Sequence, residues 1–489
     1  MRRKEIVGVK KKHLVLLCAA AFGTVFGAVG TASAQSSSNF LERKPGDGFT
    51  LLTRGGEITL YGMFDVSLDY TTKGLGGVTL DGASPPVGNT GWMLAISSNL
   101  SYVGVRGFQS LVNSTNFVYQ FETQIDISNT PGTANTNSNT SSQVKGALVS
   151  RNSFIGVQDD WGALKVGKTD APYKSSTSRM NAFSGMIGDY QVIMGNTGGD
   201  NRVEFGTRLS HALWYESPNW SGFRFNALFS PGQNRGNDSS NVPAGEPDCA
   251  GGNVPGSGGL PVACNDGSYG NAYSANVSYE IAGLYVTAAY ELHHKVNRTS
   301  DLPTYNPLDI VDEDAGKIGV QYVISTGTTL SAVYEKMRRK LDASLQDQNE
   351  RQRTGYWLAA SQQIGGSDSV HVGWAHANRT PGDPGQHNPD PTKADANGFF
   401  PNVDNSADML TGAWKHQIDK SFNWYLTYAT TLNKRFAHYD LGAGGRSVTT
   451  DCHDAANPDT SGFDPNGGAP HCYTGAHLQG VSVGMHYTF

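Results

Sequence analysis

Apolar and polar residues alternate along much of this chain with a period of two. Between Glu57 and Tyr70, Ile58, Leu60, Phe64, Val66, Leu68 and Tyr70 hold one parity, while Glu57, Thr59, Tyr61, Asp65, Ser67 and Asp69 hold the other. The same dyad sets Phe117, Tyr119, Phe121, Ile125 and Ile127 against Gln120, Glu122, Gln124 and Asp126, and it recurs through Phe422, Trp424, Leu426 and Tyr428. At the far end Val481, Val483, Met485, Tyr487 and Phe489 alternate with Ser482, Gly484, His486 and Thr488. This is the period of an extended strand, whose side chains point alternately to the two faces of a sheet. In these stretches the charges keep to one parity, so each strand has one greasy side and one wet side.

The strands fall in pairs joined by very short turns, near Asp159-Asp160-Trp161-Gly162, Asn219-Trp220-Ser221-Gly222, Ile281-Ala282-Gly283, Ser325-Thr326-Gly327, Gly365-Gly366-Ser367 and Asp419-Lys420-Ser421. Long polar segments separate the pairs, near 71–97, 128–149, 169–207, 231–270, 294–314, 339–352, 379–405 and 434–476. Alternation of short and long connections predicts sixteen antiparallel strands, starting near 57, 98, 114, 150, 162, 208, 221, 271, 283, 315, 327, 353, 367, 406, 421 and 477. In a soluble sandwich the apolar parity would face a second sheet. Segregation of the connections by length instead matches a barrel in a bilayer, with short turns at one end and long loops at the other. Trp161, Trp214, Tyr215, Trp220, Trp357, Trp424 and Tyr487 cluster near strand ends, as expected of rings at the lipid headgroup level. The expected fold is all-β, a 16-stranded antiparallel transmembrane barrel over residues 56–489. Residues 35–55 lack a strand pattern and read as an N-terminal extension.

The beginning of the sequence fits export. Arg2, Arg3, Lys4, Lys10, Lys11 and Lys12 precede an apolar stretch from Leu14 to Gly30, which leads into Ala32-Ser33-Ala34. The pattern is that of a secretory signal peptide, residues 1–34, cleaved after Ala34. A membrane anchor is the competing reading, but the stretch is short, Gly/Ala-rich and ends in small residues. Leu17 before Cys18 argues against lipidation. The leader holds six of 37 Lys and Arg and one of 43 Asp and Glu, which leaves 31 against 42 and a net charge of −11. Nucleic acid is therefore an unsuitable partner. No other stretch has the run of apolar residues that a spanning helix needs.

Cys249, Cys264, Cys452 and Cys472 remain after processing, in two sequence-local pairs within Gly/Pro/Asp-rich segments. Export permits disulfides. Of the three connectivities, 249 with 264 and 452 with 472 needs the least chain travel, and each closed loop gains roughly 3 kcal/mol on the chain-entropy model. His453 and His471 near the second pair invite a metal reading, but neither CxxC nor His-x3-His spacing is present. No metal or cofactor is expected. Enzyme chemistry is not expected either, because the scattered His211, His293, His294, His371, His376 and His416 have no G-x-S-x-G beside them. Asp312-Glu313-Asp314 and the segment Asp390 to Gly398 lack the full ligand spacing of a calcium loop.

Several strings match one family in combination. They are Ile58-Thr59-Leu60-Tyr61-Gly62 with Asp65, Gly104-Val105-Arg106-Gly107, Phe121-Glu122, Arg151-Asn152-Ser153-Phe154-Ile155-Gly156-Val157, Trp161-Gly162-Ala163-Leu164-Lys165-Val166-Gly167-Lys168, and the terminal Gly484-Met485-His486-Tyr487-Thr488-Phe489. On these residues the chain resembles the Gram-negative trimeric general porins, in particular their β-proteobacterial branch.

The resemblance implies a homotrimer in the outer membrane and passive diffusion of small hydrophilic solutes and ions through a water-filled channel. It implies that the C-terminal strand is the handle for the barrel-assembly machinery. It also implies that the third long loop, roughly Thr169 to Thr207, folds into the lumen as a constriction. Charges on facing walls of such a waist act on passing ions. Arg106 and Arg151 are the candidate basic wall, with Lys168, and Asp170 and Asp189 are candidates for the facing loop wall. Glu122 is a lumen carboxylate that could instead hold the arginines. The family often carries Arg where Tyr102 and Lys168 stand, so the basic ladder is thinned here. The loop's Asp170, Asp189, Asp200 and Glu204 nearly balance Lys174, Arg179 and Arg202, which leaves ion preference open. A substrate-specific channel for sugars or other small solutes is the alternative, although Tyr61, Tyr102 and Tyr119 form no clear inward run. A barrel-embedded hydrolase is the more distant one.

Overall fold

A computed structural model describes the strands, their short turns and residues 171–194. Residues 1–48, 75–78, 81–90, 129–150, 195–204, 232–269, 298–307, 344–351, 382–403, 443–475 and a few isolated positions lie outside the described residues. The signal peptide and all the cysteines fall among those positions.

Hydrogen bonds join nineteen strands into one sheet. Seventeen of these make a ring of sixteen barrel strands: β1 is Gly56–Gly74, and β2 is Gly91–Ser98 continued by Tyr102–Ser110. Next come β3 Asn116–Gln124, β4 Ser153–Asp159, β5 Gly162–Asp170, β6 Arg208–Glu216, β7 Phe223–Pro231 and β8 Asn271–Ile281. The second half comprises β9 Leu284–Asn297, β10 Ile310–Val323, β11 Thr328–Arg339, β12 Arg353–Ile364, β13 Asp368–Ala377, β14 Ala407–Gln417, β15 Phe422–Asn433 and β16 Ala476–Thr488. Each strand pairs antiparallel with its neighbour in sequence, and β16 returns to β1 with Val483 opposite Leu68 and Tyr487 opposite Phe64. That last pairing closes the barrel and leaves the ring without an edge.

Parity sets the two faces. Leu68 is 46% exposed, Ile318 55% and Met485 55%, whereas Asp65, Asp69, Thr427 and Ser482 are buried. Apolar outside and polar inside is the reverse of a soluble protein and is what lipid around a wet interior selects. Among the described residues no helix is long and apolar enough to cross a membrane. The outer face carries aromatic pairs near both ends: Trp161 with Tyr215 and Trp414 with Trp424 toward the short turns, and Tyr70 with Trp92 and Tyr334 with Tyr356 toward the long connections.

Four expectations need correction. The extension 35–55 contains a strand, Phe49–Thr53, which turns at Arg54-Gly55 and pairs with Gly56–Leu60. It continues the row that β16 leaves where Gly62 and Phe489 exchange backbone hydrogen bonds. The second barrel strand begins at Gly91, not near 98; a break at Asn99–Ser101, with Leu100 at φ 60°, divides it and hides its first half. The tenth begins at Ile310, not near 315, because Asp312 and Asp314 are strand residues that pair with His294, Lys340 and Arg338. Trp214 and Trp357 are not headgroup rings, since both are buried on the inward parity.

Candidate functional site on the inner wall

After β5 the chain forms α1 Pro172–Thr177, a 3-10 turn Ser178–Met180, and α2 Gln191–Met194. Pro172 at the first helical position presets the turn, and its missing N–H costs nothing there. This segment touches inward-facing side chains of many strands. The Tyr173 hydroxyl donates to Glu335 Oε2 at 2.7 Å, and Asn276 Nδ2 donates to the Pro172 carbonyl at 2.7 Å. Trp357 Nε1 donates to Met180 O at 3.1 Å, Lys415 Nζ to Ala182 O at 2.6 Å, and Thr411 Oγ1 to Gly188 O at 3.0 Å. Arg353 reaches the Met194 carbonyl. Met180, Phe183, Tyr190, Ile193 and Met194 pack with Trp357, Val333 and Met409 in a small apolar core. Gly188 has φ +79°, and a Cβ there would stand 2.3 Å from Thr411 Cγ2, so glycine is required on both counts.

On β1 to β5 the inward side chains form two linked clusters. In the first, the Tyr61 hydroxyl donates to Glu122 Oε1 at 2.7 Å, and the Arg106 guanidinium lies 4.5 Å from the Tyr61 ring centroid. Tyr61 meets Tyr102 edge-on at 6.1 Å, and Arg151 lies 4.6 Å from the Tyr102 ring. Arg151 Nε stands 3.7 Å from Glu122 Oε2, and its Nη1 donates to Gln124 Oε1 at 3.3 Å. The order Arg106, Tyr61, Tyr102, Arg151 is thus a ladder of cations on ring faces.

The second cluster centres on Asp170. Its Oδ1 lies 2.7 Å from Lys174 Nζ and 3.2 Å from Arg208 Nε, and Asn152 Nδ2 donates to its Oδ2 at 3.0 Å. Lys168 sits within the field of Arg208, Asp170 and Arg151. Burial and the neighbouring Arg208 draw Lys174 down from the ordinary lysine range.

The sequence-chosen residues therefore divide. Arg106, Arg151, Glu122, Lys168 and Asp170 come together on one wall. Asp170 does not face that wall from the loop; it is held at the end of β5 among its cations. Asp189 presents no free carboxylate. Its oxygens accept Asn181 Nδ2 at 2.7 Å and the backbone N–H groups of Gly185 and Gln191, both at 3.0 Å. Burial pushes its carboxyl up from the usual range despite those bonds. Asp200 and Glu204 lie outside the described residues. Sequence reasoning missed Arg208, Trp357, Glu335 and Lys415. Trp357 had a signal, because it shares the parity of Arg353, Gly355 and Ser361 and so stands on the wet side of its strand.

A family model for Gram-negative porins matches residues 18–435. The chain belongs to the Gram-negative porin family. Among solved structures it is similar to an anion-selective porin from Comamonas acidovorans, at 17% identity and a TM-score of 0.58, covering 89% of this chain and 100% of that one. It is also similar to Salmonella typhi OmpF solved in complex with daunomycin, at 16% identity and a TM-score of 0.52, covering 90% and 100%. No curated protein sequence matches the chain. The protein is a β-barrel channel for small solutes in the Gram-negative outer membrane.

Proposed function

We propose that this porin is a passive diffusion channel, active as a homotrimer, whose waist lies between residues 171–194 and the inward face of β1 to β5 and favours small anions. The segment 171–194 crosses the bore as the constriction in this reading, tethered from behind by Glu335, Trp357, Thr411 and Lys415. One observation carries the anion preference. Among the described residues the only acid of the segment, Asp189, is buried with its oxygens taken up by the segment's own donors, so it offers passing ions no accessible carboxylate opposite the arginines. Within the two wall clusters Arg106, Arg151, Lys168, Lys174 and Arg208 outnumber Glu122 and Asp170. An excess of one sign in a narrow wet passage raises the local concentration of the opposite ion. No hydrolytic step belongs to this reading.

Purified trimers in a planar bilayer under a potassium chloride gradient are expected to show an anion-favouring reversal potential. Arg106→Ala is expected to move it toward zero, because one of the cations of the wall clusters is lost and the remainder stays screened over a Debye length of about 8 Å. An unchanged potential removes Arg106 from the filter. A cation-favouring wild type overturns the preference and leaves the channel reading standing.

A further inference from the structure

The connection that follows β15 turns back into the bore. Asn433 ends that strand, and its side chain holds the chain beyond it: Nδ2 donates to the Tyr439 carbonyl and Oδ1 accepts the Tyr439 N–H, both at 2.8 Å. The Ala437 N–H donates to the Lys434 carbonyl at 2.8 Å, which tightens the turn. Leu441 then reaches Gly480 on the inner wall, where a Cβ would stand 3.1 Å from Leu441 Cδ2. Gly480 pairs with Ala429, well inside the end of β15, so the chain has descended. Gly188 of the segment 171–194 stands at the same rung, since a Cβ on it would lie 2.9 Å from Ala429 Cβ.

The two segments meet there backbone to backbone. The Gly188 N–H donates to the Leu441 carbonyl at 2.8 Å, and Ile187 pairs with Gly442 in an isolated antiparallel bridge. Gly442 has φ +125°, and a Cβ on it would stand 2.8 Å from Gly188 N and 3.0 Å from Met186 O, so any other residue pushes this clasp apart. Side chains fill the space around it. Ala437 and Tyr439 belong to the apolar core of Phe183, Ile193, Met194 and Trp357, and Leu441 is 3% exposed. Behind them Ala429, Thr431 and Leu478 of the wall are fully buried. Water therefore reaches neither the clasp nor the wall it covers.

A chain segment laid across a wide bore leaves two routes, one on each side of it. We propose that residues 437–442 close the route between the segment 171–194 and the wall of β14 to β16, so that solute passes on the β1 to β5 side alone. The inference rests on the reading of 171–194 as the constriction. It makes Tyr439, Leu441 and Gly442 determinants of size selection, although none of them stands among the charged groups of the waist. Thr71, Ala429, Thr431 and Gly480, which line the closed route, carry no charge. Once opened, this route adds a parallel neutral path that filters solutes neither by the width of the waist nor by its cations. A brace without a sealing role behaves differently, because its loss loosens the one existing passage and creates no second.

The test follows entry of neutral sugars of increasing size into liposomes carrying the purified protein, alongside single-channel conductance. Tyr439→Ala paired with Leu441→Ala empties the space beside the clasp, and Gly442→Val forces the clasp open; an unchanged heat-modifiable gel band shows that the barrel has formed. Each is expected to raise conductance by roughly half, to admit sugars that the wild type excludes, and to move the reversal potential toward zero. Ser184→Trp adds bulk at an exposed position on the waist side, next to Gly185, which lies against Leu100 in the break of β2. Alone it should slow sugar entry. Combined with the Tyr439→Ala and Leu441→Ala pair it should slow entry far less, because the second route remains. Wild-type sugar cutoffs in both clasp variants overturn the inference while the constriction reading stands. Full slowing by Ser184→Trp in the paired background also overturns it and leaves residues 437–442 a brace. No effect of Ser184→Trp on the wild type overturns the constriction reading and this inference together, whereas a cation-favouring wild type touches neither, since the sugars are neutral.

Discussion

Replacing Trp357 with alanine is expected to leave a barrel that still inserts but conducts with more current noise and a higher open-channel conductance. Trp357 is fully buried, stacks on Tyr190 at 4.9 Å, meets Phe183 edge-on at 6.0 Å, and donates its indole N–H to Met180 O. Truncating a buried tryptophan costs about 3–5 kcal/mol. Here most of that loss falls on the contact between the wall and residues 180–190, because the strand ladders of β12 survive the change. Phenylalanine at the same place keeps most of the apolar bulk and gives up the hydrogen bond, worth about 1 kcal/mol, so its noise should lie between wild type and alanine. Single-channel recording of the three proteins checks the order. Identical traces from Trp357→Ala and wild type would show that this segment is held without the ring.

The second large effect is expected at the seam. A Cβ on Gly484 would stand 2.1 Å from Tyr425 Cζ and 2.2 Å from its hydroxyl oxygen, so the ring lies flat over bare backbone of the adjacent strand. That hydroxyl donates to Asp65 Oδ1 at 2.6 Å and receives Asn99 Nδ2 at 3.0 Å, while His486 Nδ1 contacts Asp65 Oδ2 at 3.2 Å. One network therefore joins β15, β16, β1 and β2 across the closure. Gly484→Val must expel the ring and take its hydroxyl from the Asp65 carboxylate, at a cost of roughly 3 kcal/mol or more. Loss of the heat-modifiable folded band is the expected readout. Adding Tyr425→Ala vacates the space and should restore the band; if the double variant folds no better than Gly484→Val, the ring contact is not the cause.

How far the sequence could be read follows from what each feature depends on. The strands were legible because inside and outside differ in solvent, and a period of two records that difference residue by residue, as in Glu57 to Tyr70. Legibility failed where charge entered a strand above the apolar band, as at Asp312 and Asp314, and where a single Leu100 in the left-handed region split one strand into two. Arg106, Arg151 and Glu122 came from a family resemblance and do meet on one wall, but their neighbours Arg208 and Lys174 are set by how the chain leaves β5. The contact of Lys415 with Ala182 joins positions more than two hundred residues apart. No local pattern encodes such a partner. Asp189 shows the same limit at short range: as a letter it is an anion, and only the fold reveals that three donors within eight residues consume it.

The pairing of residues 63–71 with 480–488 fixes the order of assembly. The first and last staves of the cask can meet only once the final one has been delivered, so synthesis cannot hand over a finished wall piece by piece. Every hairpin made earlier leaves the growing sheet with an open flank, and the two flanks, several hundred residues apart along the chain, join in one late step. Until then the nascent wall keeps two unpaired borders, each a template for pairing with the wrong strand.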